Sequence, residues 1–328
     1  MSDLVSLPEI ERAAERIAGV AVRTPLVPFP RDPVPPSGGE GEPALLVKAE
    51  SLQPIGAFKV RGAYAAISSL TEAERAAGVV THSSGNHAQA VAYAARALGI
   101  KAVLVMPHTT PGVKVERCIA LGAEVVYVEP TAQARAETAG KLAAAHGFTM
   151  IPPYDDARVI AGQGTAGLEI VRDRPDVDVV LVPISGGGLI AGVSAAVKAL
   201  RPEAKVIGVE PELAADARDS MAAGRPVSWD AEKTGRTIAD ALRVQRVGDL
   251  PFAHMRAHVD GVVTVTEDEI RLTMRRLARE ARLIAEPGGA VATAAYLYRR
   301  GELPEGAAYV SILSGGNVDP ALFLDVLK

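Results

Sequence analysis

Short aliphatic runs alternate with longer amphipathic segments along most of this chain. The continuous apolar runs predict buried strands, and apolar residues at three- and four-residue spacing predict helices. The predicted strands are 45–48, 79–81, 102–106, 124–128, 179–184, 205–209 and 307–313, and the predicted helices are 6–17, 64–70, 87–98, 110–121, 132–145, 189–200 and 268–282. Because buried strands that alternate with helices are typical of parallel β-α-β units, we predict an α/β protein with two open, twisted parallel-sheet domains and a cleft between them. The Pro-, Gly- and Glu-rich segment 31–43 is predicted to be an exposed surface loop.

The composition excludes several classes of protein. Its 35 basic and 39 acidic residues give a net charge of −4 without a basic tract, so no nucleic-acid partner is expected. The single cysteine, Cys118, excludes a disulfide framework and suits a reducing compartment. The first residues lack the plan of a signal peptide, and no apolar run reaches the length of a membrane span. We therefore expect a cytoplasmic protein without a membrane partner.

The stretch 185–189 carries the clearest chemical signal. A predicted buried strand runs into Ser185 and three consecutive glycines, and a predicted helix follows. Glycines let backbone N–H groups approach an anion closely, and a helix N-terminus adds favourable potential. We interpret this loop as a phosphate site, with a tight strand-to-helix turn as the alternative. It has neither the lysine of a nucleotide-binding P-loop nor the spacing of a dinucleotide fingerprint.

Three other stretches place polar side chains between a predicted strand and a predicted helix. The loop 81–87 offers hydroxyls, an amide and an imidazole that suit a carboxylate, although an ordinary helix cap is the alternative. The loop 313–317 carries Ser314, a neutral hydrogen-bonding hydroxyl or a simple cap. Lys59 lies where a loop becomes a helix, a position that lowers the cost of losing its proton, although such a lysine is usually just a solvated charge.

Five motifs together resemble the serine/threonine dehydratases. They occur in that family's order at residues 48–63, 83–87, 160–165, 185–189 and 314–317. These dehydratases are pyridoxal phosphate (PLP) enzymes of the tryptophan-synthase-β type, a group that also includes the serine racemases. The resemblance implies that PLP lies in the cleft between a large cofactor-binding domain, formed by residues 1–51 and 149–328, and a small substrate-side domain, formed by residues 52–148.

The resemblance also implies roles for single residues. Lys59 would bond the cofactor aldehyde and act in catalysis together with Ser84. The cofactor ring would contact Phe58, Asn86 and Ser314, with Asn86 at the ring hydroxyl and Ser314 at the pyridine nitrogen. The remaining contacts would come from Ser185, Gly186, Gly187, Gly188 and Leu189 around the phosphate, and from Ser83, Ser84 and His87 around the substrate carboxylate.

The expected activity is elimination of water from L-threonine and L-serine, which yields a 2-keto acid and ammonia. The segment 152–156 is similar to its threonine dehydratase counterpart. The alternatives are a serine racemase, since Ser84 matches a serine that racemases use, and a dehydratase of another 3-hydroxy amino acid, such as threo-3-hydroxyaspartate or a phenylserine. A non-catalytic metabolite-binding protein is a further alternative, against which the presence of Lys59 counts.

One acidic segment suggests a divalent cation. Glu210, the backbone carbonyl of Ala214 and Asp216 follow a predicted strand and could hold Mg²⁺ or Ca²⁺. Relatives have a divalent site with this spacing, and the alternative is a solvated acidic turn. The resemblance also implies a homo-oligomer, either a dimer or a tetramer.

Overall fold

A computed structural model of the protein describes residues 4–30 and 44–328, so the predicted loop 31–43 lies outside the described residues. The strands are β1 Leu26–Phe29, β2 Ala44–Ala49, β3 Val79–Thr81, β4 Ala102–Pro107, β5 Glu124–Val128, β6 Thr149–Met150, β7 Val179–Pro183, β8 Lys205–Pro211, β9 Gly261–Val265 and β10 Ala308–Leu313. The helices are α1 Leu7–Ile17, α2 Lys59–Ser68, α3 Glu72–Ala77, α4 Asn86–Leu98, α5 Gly112–Ala120, α6 Ala132–His146, α7 Ala157–Asp173, α8 Gly188–Leu200, α9 Asp216–Ala223, α10 Ala231–Thr234, α11 Asp249–His258, α12 Glu267–Arg276, α13 Pro287–Tyr298 and α14 Pro320–Leu327.

The strands form two separate sheets. The larger has six strands in the order β1-β2-β10-β7-β8-β9, and the smaller has four in the order β5-β4-β3-β6. Every neighbouring pair is parallel except β1 with β2. Strands β7 and β10 are buried along their whole length, which explains their continuous apolar sequences. The predicted α/β class with parallel-sheet domains is confirmed.

The predicted boundary at residue 149 assigned strand β6 to the large domain. Strand β6 pairs with β3, Val79 lying opposite Thr149, so residues 149–150 belong to the smaller sheet. Within the described residues, we therefore propose a large domain of residues 4–30, 44–51 and 151–328 and a small domain of residues 52–150. None of the helices within residues 4–30 and 44–328 is both long enough and apolar enough to cross a bilayer.

Helix α7, which the sequence analysis did not predict, packs closely against α2 and α8. A Cβ atom added at Gly162 would lie 2.6 Å from the backbone oxygen of Arg61 in α2, and one at Gly192 in α8 would lie 2.2 Å from that of Ile160. These glycines therefore allow the backbones to approach more closely than any larger side chain would permit. Helix α2 begins at Lys59, five residues before the predicted start at 64, and it packs against α7.

A buried ionic network lies beneath the start of α2. Arg61 donates to Glu50 at 2.8 Å and to Glu169 at 2.8 Å, and Lys48 donates to Glu169 at 2.6 Å. Arg61, Lys48 and Glu50 have no solvent-exposed surface. Because buried charges are costly unless they are paired and hydrogen-bonded, this network holds α2 and α7 against the segment that follows β2.

Candidate active site

The predicted functional loops converge where strands of the two sheets end, in the cleft between the sheets. The loop before Lys59 and the loop after β10 bind each other directly: Phe58 N donates to Ser314 O at 3.0 Å, and Gly316 N donates to Gly56 O at 2.9 Å. The loops after β3 and β7 also leave the carboxyl ends of parallel strands, which is where α/β proteins bind ligands.

Lys59 is the first residue of α2 and is half-buried. Its amine donates a hydrogen bond to Pro153 O at 2.6 Å and lies 5.1 Å from the centre of the Phe58 ring. Burial lowers the pKa of Lys59 to about 8. About a tenth of this amine is therefore uncharged at about pH 7, and the uncharged form is the one that attacks an aldehyde.

The glycine loop has the features of an anion site. Gly187 precedes α8 with a positive φ of 89°, and the first N–H groups of α8 have no intrahelical acceptor. The buried Oγ of Ser185 has no hydrogen-bond partner among the described residues. A Cβ atom at Gly186 would lie 2.2 Å from the Tyr154 ring, so that tyrosine packs directly against the loop. This unpartnered hydroxyl, the glycines and the helix start fit the phosphate of PLP.

The loop 82–85 joins β3 to α4 and contains Ser83 and Ser84. Both serines are half-buried, and Ser83 Oγ accepts from Gly85 N at 3.3 Å. The start of α4 also presents free backbone N–H groups, which suit a carboxylate. Neither predicted substrate role is tested by this geometry, and both stay predictions.

His87 follows in the first turn of α4 and is buried. Its Nε2 lies 3.0 Å from Ile151 O, and burial, followed by the charge of Lys59, lowers the pKa of His87 to about 3. Because a carbonyl can only accept, Nε2 carries the proton of a neutral ring and Nδ1 is an acceptor. This Nδ1 has no partner among the described residues, and it would bind a hydroxyl or an N–H group better than a carboxylate.

Asn86 bridges the two sides of the cleft. Its Nδ2 donates to Glu286 Oε1 at 2.7 Å, and its Oδ1 accepts from Asn317 Nδ2 at 2.8 Å. Burial, followed by the charge of Asp240, raises the pKa of Glu286 to about 7. Glu286 and Asn317 had no role predicted from the sequence. The available signal was an acidic residue directly before Pro287 and two glycines in an otherwise apolar segment.

Ser314 is buried at the end of β10. Its Oγ has only a long contact of 3.4 Å with Gly288 O, and Gly288 lies in the first turn of α13. This weakly engaged hydroxyl remains available to a neutral acceptor such as a ring nitrogen. Its predicted contact with the pyridine nitrogen stays a prediction.

The predicted metal ligands come together beside α9. Glu210 accepts from the backbone N–H groups of Ala217 and Arg218 at 3.0 and 2.8 Å, while the buried Asp216 Oδ2 has no partner among the described residues. Burial raises the pKa of Asp216 to about 7, and burial with the charge of Asp216 raises that of Glu210. Two unneutralised carboxylates of this kind fit a cation.

That cation would depend on the backbone carbonyl of Ala214 as a third ligand. Within the two described ranges, no group of three or more His, Cys, Asp or Glu side chains is placed to hold a metal ion. The metal site therefore stays a proposal.

Comparisons with known proteins agree with this geometry. Residues 17–315 match the family model described as "Pyridoxal-phosphate dependent enzyme". The chain is 40% identical to the catabolic L-threonine dehydratase of Escherichia coli over 96% of its own length and 94% of the relative's. It is 42% identical to the serine racemase of Arabidopsis thaliana over 87% and 86% of the two chains.

A solved structure supports the fold as well. The processed form of threonine deaminase isoform 2 from Solanum lycopersicum superimposes with a TM-score of 0.86 at 36% identity, covering 99% of this chain and 94% of the other. The family model matches most of the sequence, and the fold contains the glycine loop 185–188 and a lysine at the start of α2. Both findings support the same family. This chain belongs to the family of pyridoxal-phosphate dependent enzymes.

Proposed function

We propose that this enzyme removes water from L-threonine, and from L-serine, and releases a 2-keto acid and ammonia. The single observation that carries the proposal is the cleft itself. Within it the Lys59 amine, with a pKa lowered to about 8, donates to Pro153 O, and the neighbouring Tyr154 packs against Gly186 of the glycine loop. The charge of Lys59 also acts on His87, which follows the hydroxyl-rich loop at the second helix start. Dehydratase and deaminase relatives of similar length support this choice of reaction.

Each loop would have a separate task. Ser185 and the first N–H groups of α8 would hold the cofactor phosphate. Ser83, Ser84 and the start of α4 would bind the substrate carboxylate and so orient its Cα–H bond toward Lys59. His87, neutral and with a free acceptor at Nδ1, would accept a hydrogen bond from a hydroxyl or an N–H group in the cleft.

Lys59 would also act as the base. Lys59 would hold the cofactor, and its amine, when free, would take the proton from Cα of the substrate. The bound cofactor supplies the electron sink that makes loss of this proton feasible. Ser84 would act as the second acid–base group, because it matches the serine that racemases use on the opposite face of the substrate from the lysine.

The covalent role of Lys59 is tested by reduction and peptide mapping. We expect borohydride treatment of the wild-type enzyme to attach the cofactor irreversibly at Lys59, and the Lys59→Ala variant to lose this labelling. Lys141→Ala, at an exposed position of α6, is the matched control and should keep it. A reducible adduct at the same peptide in Lys59→Ala would refute the assignment.

A substrate panel tests the reaction. We expect keto-acid release to be fastest with L-threonine and L-serine among 3-hydroxy amino acids that include threo-3-hydroxyaspartate and phenylserine. Chiral analysis of recovered serine should show less inversion than elimination. Serine that racemises faster than it eliminates would instead support a racemase, the activity named for the relative from Arabidopsis thaliana.

We further propose that Glu210, Ala214 and Asp216 bind Mg²⁺ or Ca²⁺ and that the enzyme is a homo-oligomer. The unpartnered Asp216 oxygen supports the first proposal. The resemblance to a family whose members are commonly dimers or tetramers supports the second. Analytical ultracentrifugation of the purified enzyme would test the oligomeric state, and a monomer at micromolar concentration would refute it.

A further inference from the structure

Three buried or half-buried side chains join the two sides of the cleft at Asn86. Asn86 starts α4 beside the four-stranded sheet, whereas Glu286 and Asn317 flank α13 and β10 beside the six-stranded sheet. Asn317 Nδ2 also donates to Ile55 O at 2.8 Å, which holds the third side chain to the loop before Lys59. Together, Asn86, Glu286 and Asn317 therefore connect the four-stranded sheet to the loop before Lys59.

The two partners of Asn86 fix the direction of its amide. Ile55 O can only accept, so it fixes the position of Asn317 Nδ2, and the oxygen of Asn86 must face this donor. The nitrogen of Asn86 then faces Glu286 and uses one of its two hydrogens there. The second N–H has no acceptor among the residues that the structure describes. An amide without these partners could turn over and present its oxygen instead.

The local backbone keeps space for the two partners. A Cβ atom at Gly315 would lie 2.4 Å from Glu286 Oε1, and a Cβ atom at Gly56 would lie 2.8 Å from Asn317 Oδ1. Glu286 precedes α13, but its side chain makes no hydrogen bond to the helix start. The carboxyl group is instead directed to Asn86.

We propose that Glu286 is a positioning residue, which acts through Asn86 to direct a single N–H donor at the ring hydroxyl of the cofactor. This inference rests on the proposed placement of that hydroxyl against Asn86. Glu286 itself need not touch the cofactor. An N–H donor fits an ionised ring oxygen, whereas a turned amide would set two oxygens against each other.

Glu286 can perform this task whether or not it carries a proton. Its carbonyl-type oxygen accepts from Asn86 in both states, and Asp240 and Lys114, which form an ion pair 3.1 Å apart, are the charged groups that act on it. A glutamine of the same length also presents an acceptor, whereas a methionine fills the space without one. Glu286→Gln and Glu286→Met are therefore a matched pair.

The test measures PLP binding to the full-length protein. The cofactor is removed, PLP is titrated back, and the visible absorption of the bound cofactor gives the apparent dissociation constant. We expect Glu286→Met to weaken binding about tenfold, the value of one good hydrogen bond, and Glu286→Gln to stay within about threefold of the wild type. Glu203→Ala, an exposed control, should not change it.

A double-mutant cycle shows whether Glu286 acts through Asn86. Asn86→Ala should weaken PLP binding, and adding Glu286→Met to it should cause no further loss. Asn317→Ala should likewise lose its effect in the Asn86→Ala background, which provides a second test if Glu286→Met does not fold. The pH dependence of the visible band should shift in Glu286→Met and not in Glu286→Gln.

Each remaining outcome is decisive. Additive effects in the cycle, or a Glu286→Gln variant as impaired as Glu286→Met, would overturn the positioning role. If Asn86→Ala leaves PLP binding unchanged, the proposed placement of the ring against Asn86 fails, and the inference fails with it. If only Asn86→Ala weakens binding and the Glu286 variants do not, the placement stands and the inference alone is refuted.

Discussion

Replacing Lys59 by methionine should change the stability of the cofactor-free protein in a pH-dependent way. Burial lowers the pKa of Lys59 from 10.5 to about 8. This difference corresponds to about 3 kcal/mol, an upper value because Lys59 is half-buried. Methionine has a similar length and carries no charge, so Lys59→Met removes the cost of burying the ammonium group.

The protonation states of Lys59 in the folded and the unfolded chain determine how the stability difference changes with pH. Below about pH 8 the amine is protonated in the folded and the unfolded chain, and the full cost of burial is present in the wild type. As pH rises toward 10.5, the folded chain binds fewer protons than the unfolded chain, so the wild type regains stability. The advantage of Lys59→Met should therefore shrink by about 1.4 kcal/mol between about pH 7 and about pH 9.

Guanidinium unfolding of both cofactor-free proteins at several pH values measures this difference. Lys141→Met, at an exposed position of α6, is the control and should show a pH-independent difference from the wild type. A Lys59→Met difference that stays constant from pH 7 to pH 9 would refute the lowered pKa. It would also remove the physical reason for assigning attack on the aldehyde to this lysine.

Three further predictions test the other parts of the site. Gly186→Ala should weaken PLP binding about tenfold, because its Cβ would lie 2.2 Å from the Tyr154 ring. The control Gly140→Ala, whose Cβ meets nothing within 4 Å, should leave PLP binding unchanged. Equal dissociation constants for the two variants in PLP titrations would contradict this prediction. Mg²⁺ added to chelator-treated protein should raise the melting temperature, and Asp216→Ala should abolish the effect; an unchanged wild type would count against the site. Glu50→Gln should lower the free energy of unfolding by about 3 kcal/mol, measured by chemical unfolding, because the buried guanidinium of Arg61 loses a charged partner. A decrease below about 1 kcal/mol would be inconsistent with a stabilising ionic network beneath α2.

The functional loops were predictable because their signal is local. Glycine, serine and asparagine directly after an apolar run mark the carboxyl end of a buried strand, and parallel strands bring such ends to one edge. The glycine loop at 185–188 and the Ser-Ser-Gly-Asn loop at 83–86 both lie where this reasoning places them. Strand β5, Glu124–Val128, has the bounds that its apolar run predicts.

Helix α7 and Glu286 were missed because their signals depend on partners far along the chain. Helix α7 contains Gly162, which lowers helix propensity and locally indicates a break. The reason for a glycine at position 162 becomes evident only in the folded chain, where the backbone of α2 lies close to it. Glu286 locally resembles a helix cap, and only the folded chain brings it to Asn86, 200 positions away. Contacts of this kind leave no periodicity that a single sequence can reveal.

Lys59 and Arg61 show how two cations on one helical turn acquire opposite properties. Burial acts against the charge of both, yet the pKa of Arg61 is raised while that of Lys59 falls to about 8. Arg61 faces Glu50 and Glu169, whereas the Lys59 amine donates to the backbone carbonyl oxygen of Pro153.

The ionic network beneath α2 explains why the opposite pKa shifts of Lys59 and Arg61 suit catalysis. Its two carboxylates are already balanced by Arg61 and Lys48, so none is left to hold a proton on Lys59. The lysine can lose its charge without leaving a buried anion unpaired, which would otherwise cost several kcal/mol. Replacing Arg61 by a neutral residue should therefore raise the pKa of Lys59 and slow its reaction with PLP at neutral pH. Reconstitution rates of Arg61→Met measured against pH would test this, and an unshifted profile in a folded variant would show that the network has no influence on the lysine.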